Sequence, residues 1–173
     1  MARQRIKLFN KGTAMEMKSN NNRISEKSFW IVRGLPGSGK STAAKVMIPH
    51  LTLSADDFFM VGNRYCFRTE LLGVSHQWNQ GRAEEACKNN ESLIIVDNTN
   101  VNWKEVKPYV DIAAKYGYHL HIVEPNTVWK YDVEECFRRN THRVPKEVIQ
   151  AMSDRWESTQ SIIDKISAGG GRT

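Results

Sequence analysis

The sequence has no apolar run long enough to cross a bilayer; stretches such as Phe29–Val32 and Leu93–Val96 span four residues, against the twenty or so that a membrane helix needs. No apolar segment of signal-peptide type follows Met1, which argues against secretion. Cysteine is scarce: Cys66, Cys87 and Cys136 form an odd set without a C-x-x-C pair. That excludes a disulfide framework or a zinc site and suits a reducing compartment, cytoplasmic or nuclear. Internal repeats are absent. At 40% hydrophobic residues, the 173-residue chain is modest in apolar content but can bury the core of one domain.

Its net charge of +6 suggests an acidic partner, but the charge is unevenly spread. Residues 1–27 carry seven basic and two acidic side chains, a net +5, and the remaining 18 basic and 17 acidic residues leave +1. The first 27 residues read as a polar, basic, disordered tail without sustained periodicity, and a basic N-terminus leaves organelle targeting open. Residues 28–166 read as one domain, and 167–173, rich in glycine, as a flexible end.

Within that domain, apolar strands and helical segments alternate. Strands are expected at Phe29–Val32, Leu51–Leu53, Ser92–Val96 and His119–Val123. Helices are expected over Lys40–Ile48, from about Thr69 to Lys88 with a break allowed at Gly73, and over Asn102–Tyr116, Trp129–Asn140 and Pro145–Ile166; residues 55–68 read as irregular. This alternation predicts an α/β fold: a parallel sheet of about four or five strands with helices on both faces and a ligand at the carboxyl ends of the strands.

Four motifs carry chemistry. Gly34-Leu35-Pro36-Gly37-Ser38-Gly39-Lys40-Ser41 matches G-x-x-x-x-G-K-[ST], and it follows a strand and opens a helix. Glycines let backbone N–H groups wrap an anion, the helix start adds positive potential, Lys40 supplies charge to the β/γ-phosphates and Ser41 a hydroxyl for Mg²⁺. Asp56-Asp57 follows the second strand, where one carboxylate can accept a proton; a helix cap is the structural alternative. Asp97 ends an apolar strand in the manner of a metal-associated carboxylate, and Thr99 and Asn100 would add polar groups to the cleft; an ordinary turn is the alternative. The basic run Arg138–Arg143 suits a transferring phosphoryl group, or a solvated helix end.

Together these motifs resemble the P-loop polynucleotide 5′-hydroxyl kinases over roughly residues 28–158. The resemblance rests on Gly34–Ser41, Asp56-Asp57, Asp97-Asn98-Thr99-Asn100 and Arg139-Asn140-Thr141-His142-Arg143 in that order. It is narrowest with short stand-alone relatives of the kinase domain of ubiquitin-ligase-binding (Nedd-type), Smr-domain proteins. There it extends to Thr42, His76-Gln77-Trp78-Asn79-Gln80, Lys107-Pro108-Tyr109 and Glu124–Lys130. The resemblance implies a P-loop kinase fold and use of ATP and Mg²⁺. ATP would lie on Gly34–Thr42 with Arg139 and Arg143 closing over it, Mg²⁺ at Ser41 and Asp97, with Asp56 as general base. Asp57, Asp97, Thr99 and Asn100 would line the acceptor side.

Such kinases place an arginine shortly after the Asp pair, where this chain has Phe58-Phe59-Met60; Arg64, Arg68 or Arg82 can supply that charge, and Phe58, Phe59 and Trp78 can stack on a base or fill the core. The implied acceptor is a DNA or RNA 5′-end. The alternatives are a kinase of a small-molecule hydroxyl and an ATP-binding interaction module. Neither a membrane nor zinc enters this reading, and oligomeric state is left open.

Overall fold

The computed structural model describes residues 27–45 and 51–169; the expectations for the basic tail, for the last residues of the Lys40–Ile48 helix and for residues 170–173 lie outside the described residues. Four strands form one parallel sheet: β1 (Ser28–Val32), β2 (Leu51–Leu53), β5 (Leu93–Asp97) and β6 (His119–Val123), in the order β2-β5-β1-β6. β1, one of the two inner strands, is rich in β-branched and aromatic residues: Phe29, Trp30, Ile31 and Val32 are all buried, as a strand covered on both faces requires. In the register, Val32 lies opposite Asp97 and Leu53 opposite Val96, so the carboxyl ends of β1, β5 and β2 finish level with one another.

The period of two along each strand divides the core. Phe29, Ile31, Ile94, Val96 and Leu120 pack with Ala83, Ala86, Val106, Val110 and Ile162 from helices α2 (Leu72–Lys88), α3 (Trp103–Lys115) and α6 (Thr159–Gly169). Trp30, Val32 and Ile95 point the other way and meet Ala44 of α1 (Lys40–Lys45). Each fully buried Ile or Leu contributes about 1.5–3 kcal/mol, so the two-sided arrangement is what a sequence of short apolar strands can stabilise. A third cluster, Leu35, Cys136 and Ile149 with Trp129, Met152 and Trp156 against it, joins the loop after β1 to α4 (Val133–Arg139) and α5 (Lys146–Asp154).

Several elements differ from their expected form. The stretch 55–68 is ordered: a 3-10 turn over Ala55–Phe59 leads into an antiparallel hairpin, β3 (Met60–Val61) and β4 (Arg64–Tyr65), which turns at Gly62. Helix α2 runs unbroken through Gly73 after a 3-10 turn at Thr69–Leu71. The helix expected over Asn102–Tyr116 does form, with Pro108 inside α3. The helix expected from Trp129 starts at Val133, capped by Asp132, whose side chain accepts from Glu135 N at 3.1 Å.

The single helix expected over Pro145–Ile166 is two, α5 and α6. The break at 155–158 is imposed from outside the segment. Glu157 O accepts from Arg33 Nη2 at 2.7 Å, Glu157 N donates to Val101 O at 2.9 Å, and the Trp156 ring lies 4.1 Å from the Arg33 guanidinium carbon. The backbone groups of Glu157 are thus committed to Arg33 and Val101 rather than to a helix, and Ser158 Oγ accepts from Ser161 N at 3.1 Å where α6 starts.

Candidate active site

The phosphate-type loop leaves β1 and is held from three sides. Gly34 N donates to Thr99 O at 3.0 Å, tying it to the end of β5. Thr127 Oγ1 donates to Ser38 O at 2.8 Å, and Trp129 Nε1 to Gly37 O at 3.3 Å. Gly37 (φ +79°) and Gly39 (φ +100°) occupy backbone conformations that disfavour a side chain. A Cβ on Gly37 would also lie 2.0 Å from Cys136 O and 2.9 Å from Asn140 N. The absence of a side chain there is what lets α4 sit on the loop.

Lys40 Nζ donates to Leu35 O at 2.8 Å, across the loop. Burial pushes the ammonium's pKa down, while Asp97 and Asp56 push it back up, so both carboxylates lie within electrostatic reach of Lys40. Asp97 is held above the ordinary carboxylate range, first by burial and also by Asp56; Lys40, a hydrogen bond with Ser41 and His142 act the other way. Thus strand ends β1, β5 and β2 bring Lys40, Ser41, Asp97 and Asp56 to one cleft, with His142 reaching it from the loop after α4. Asp97 Oδ1 is buried and receives no hydrogen bond from the described residues. A buried carboxylate oxygen beside a hydroxyl is a donor set that fits Mg²⁺, which takes one or two protein oxygens and completes its shell with water and phosphate. Among the described residues no cluster of three or more His, Cys, Asp or Glu could hold a metal by itself, and no helix is long and apolar enough to cross a membrane.

The two alternatives for the Asp pair are divided between its members. Asp57 answers the N-cap Ser54: its carboxylate accepts from Ser54 N at 3.3 Å while Ser54 Oγ accepts from Asp56 N, closing a capping box on the 3-10 turn. Asp57 Oδ2 also accepts from Arg82 at 2.8 Å, and Arg82 lies over the Trp78 ring at 4.4 Å. In this structure the Asp57 oxygens serve the turn and Arg82. Asp56 turns instead to the cleft, where Tyr65 Oη donates to its Oδ1 at 2.9 Å.

Asn100 lies deeper in the fold. It is buried, with a left-handed backbone (φ +47°), and its Nδ2 donates to Val32 O at 3.2 Å, so it knits strand ends rather than lining the cleft. Thr99 serves the loop through its carbonyl. The neighbouring Asn98 accepts from Ala55 N at 2.9 Å and donates to Tyr109 Oη at 3.1 Å, anchoring the start of the turn that carries Asp56.

Arg82 comes to the Asp56-Asp57 turn on α2, whereas Arg64 stands exposed on the hairpin and Arg68 at the foot of α2. Phe59, just after the Asp pair, is buried, while Trp78 is partly exposed. Arg139 pairs with Glu135 at 3.0 Å and lies 4.0 Å over the Trp129 ring, and Trp129 in turn bonds the loop at Gly37. Arg143 is exposed, with φ +55°. Asn140 sets up that turn: its Oδ1 accepts from Val144 N at 2.7 Å and its Nδ2 donates to Phe137 O at 2.8 Å. Tyr65 stands outside every motif, and Thr127, Trp129 and His142 lie within the stretches that carry the resemblance without a role of their own there; their contacts cross from one element to another and leave no spacing to read.

A parallel sheet with a glycine loop cradling a lysine, and a carboxylate on the adjoining strand, defines a P-loop protein of kinase-type α/β fold. The family model described as "AAA domain" matches residues 29–159, and the chain belongs to that family. Among curated proteins, it is 42% identical over 136 residues to human NEDD4-binding protein 2, a match covering 76% of this chain and 8% of that protein. It is 28% identical over 120 residues to the 2′,3′-cyclic-nucleotide 3′-phosphodiesterase of Rattus norvegicus, covering 66% and 27%. The chain thus spans well under a third of these relatives' length.

Among solved structures, a chain of the Pnkp1/Rnl/Hen1 RNA repair complex superposes with a TM-score of 0.61 at 21% identity, over 84% of this chain and 48% of that one. A gluconokinase from Sinorhizobium meliloti superposes with a TM-score of 0.53 at 15% identity, over 85% and 93%. At these identities the two structures show the fold, a P-loop kinase-like one.

Proposed function

We propose that this chain transfers the γ-phosphoryl group of ATP to a hydroxyl, foremost the 5′-hydroxyl at a DNA or RNA end. The observation that carries this reading is the convergence of Asp56 with Lys40 and Asp97 beside a glycine loop. A carboxylate facing a nucleotide-type loop is what an attacking hydroxyl needs and what a protein that only binds ATP does not. Lys40 exchanges Leu35 O for the phosphate oxygens; Asp56 takes the acceptor's proton. The acceptor oxygen forms the new bond to the γ-phosphorus as the bond to the β-phosphate oxygen breaks, and ADP leaves. Ser41 and Asp97 would hold Mg²⁺, which when bound neutralises charge on the phosphates. Arg139, at the end of the helix that packs over Gly37, and Arg143, in the loop that follows it, add positive charge to the transferring group.

The order of motifs, which resembles that of polynucleotide 5′-hydroxyl kinases, supports a nucleic-acid end as acceptor. A small-molecule hydroxyl is the second reading, and it draws support from Phe59, which is buried where those kinases offer an arginine. The test is transfer of label from γ-labelled ATP to 5′-hydroxyl DNA and RNA oligonucleotides, beside nucleosides and a panel of metabolites. Label on an oligonucleotide end is the expected result. Label confined to a small molecule selects the second reading, and label on nothing rejects both.

A further inference from the structure

The hairpin β3–β4 is absent from the motif reading, yet it delivers one hydrogen bond into the cleft. Tyr65 Oη donates to Asp56 Oδ1 at 2.9 Å, and Asp56 Oδ2 receives no hydrogen bond from the described residues. We propose that Tyr65 is a positioning residue for Asp56, holding one carboxylate oxygen so that the other is aimed at the acceptor hydroxyl. This rests on the kinase reading above.

A carboxylate on its own rotates and presents either oxygen; a donor fixed to one oxygen sets the direction of the second. Tyr65 is itself fixed. The Cys66 N–H donates to Phe59 O at 2.8 Å, stitching the end of the hairpin to the turn that bears Asp56. The Tyr65 ring stacks on Phe67 with centroids 6.3 Å apart and planes 15° apart, and meets Phe59 edge-on at 6.2 Å. On its other side His142, from the loop after α4, lies 5.4 Å away. The phenol therefore joins three elements at Asp56: the capped turn, the hairpin and the arginine-bearing loop. Burial, and then the charge and hydrogen bond of Asp56, push the Tyr65 pKa up, so the donor keeps its proton at any pH at which a kinase works.

Tyr65→Phe removes the hydroxyl and keeps the ring. Hydrogen bonds to charged groups are strong enough that kcat should fall about ten- to a hundredfold. KM for ATP should stay within about twofold, because the nucleotide side is untouched. The melting temperature should fall by no more than about 5 °C, the scale of losing one such hydrogen bond. In an Asp56→Asn background the same substitution should cost nothing further, since the group it positions is gone. A readout independent of turnover is the titration of the Tyr65 phenol by NMR: it should lie above the ordinary tyrosine range in the native protein and fall in Asp56→Asn.

An active native enzyme whose Tyr65→Phe variant turns over normally would overturn this proposal and leave the kinase reading standing. So would an equal loss in the Asp56→Asn background, or a raised KM for ATP together with a larger fall in melting temperature. A native protein that labels no acceptor removes both.

Discussion

Asp56 and Asp57 are identical in chemistry and adjacent in sequence, yet the turn they begin gives them different work. Asp57 closes the capping box and meets Arg82, while Asp56 meets Tyr65 and the field of Lys40. Asp56→Asn should therefore lower phosphoryl transfer by at least about a hundredfold, the scale of losing a general base, with ATP binding retained. Asp57→Asn should leave turnover near normal and cost no more than about 1 kcal/mol of stability, because a half-exposed cap and ion pair contribute little more. Comparing single-turnover rates, nucleotide affinities and denaturation midpoints of the two variants checks both outcomes.

A second carboxylate matters for folding rather than catalysis. Burial raises the Glu157 pKa, but hydrogen bonds from Lys165, from Trp103 N at 2.9 Å and from Ser161 Oγ at 2.8 Å outweigh it and bring the group down to about 2. A depressed folded-state pKa adds stability above the ordinary glutamate value and loses it as pH falls toward about 2. Urea midpoints measured across that acid range should decline for the native protein and decline less steeply for Glu157→Gln.

At the scale of elements, the loop after β1 and helix α4 act as one unit. Cys136 O lies where a Gly37 side chain would begin, Trp129 bonds Gly37 O, and Arg139 lies on Trp129. Gly37→Ala should force the two elements apart. The backbone clash and the positive φ together should cost about 1–3 kcal/mol, and ATP affinity should fall with stability. Isothermal titration with ATP and thermal denaturation would show the two losses together. Unaltered ATP affinity would mean that loop and helix are independent. The same coupling explains why the α4 region reads poorly from sequence. Trp129 and Lys130 suit a helix by pattern, but Trp129 is used to bond the loop, and the helix waits for the Asp132 cap.

For the molecule as a whole, Arg33 is the residue that closes the fold. It is fully buried at the exit of β1, donating to Asn100 O and Val101 O at 3.0 Å each, to Glu157 O at 2.7 Å and to Thr159 Oγ1 at 2.9 Å. Its guanidinium joins the first strand, the turn after β5 and the link between the last two helices. Arg33→Ala would leave those carbonyls unsatisfied and should destabilise the protein by about 3–5 kcal/mol, the scale of breaking a buried charged network. Chemical denaturation measures the loss, and Arg33→Lys should recover only part of it, since one ammonium cannot reach all of these partners.

The sequence by itself determined what short spacing can encode. The glycine loop is written in eight consecutive residues, the strands in four or five apolar ones, and Asp97 in its place after such a run. These features depend on backbone conformation and side-chain period, which are local. Tertiary structure decided the rest. It placed β5 between β1 and β2, which sets Asp97 beside the loop that precedes it in sequence by more than fifty residues. It sent Asp57 to a capping box, Asn100 to the interior and Tyr65 to Asp56, and it split the last helix by a contact spanning 124 residues. The physical reason is common to all of these: hydrogen bonds between distant segments satisfy buried polar groups wherever the chain brings them together, and no period along the sequence records that meeting.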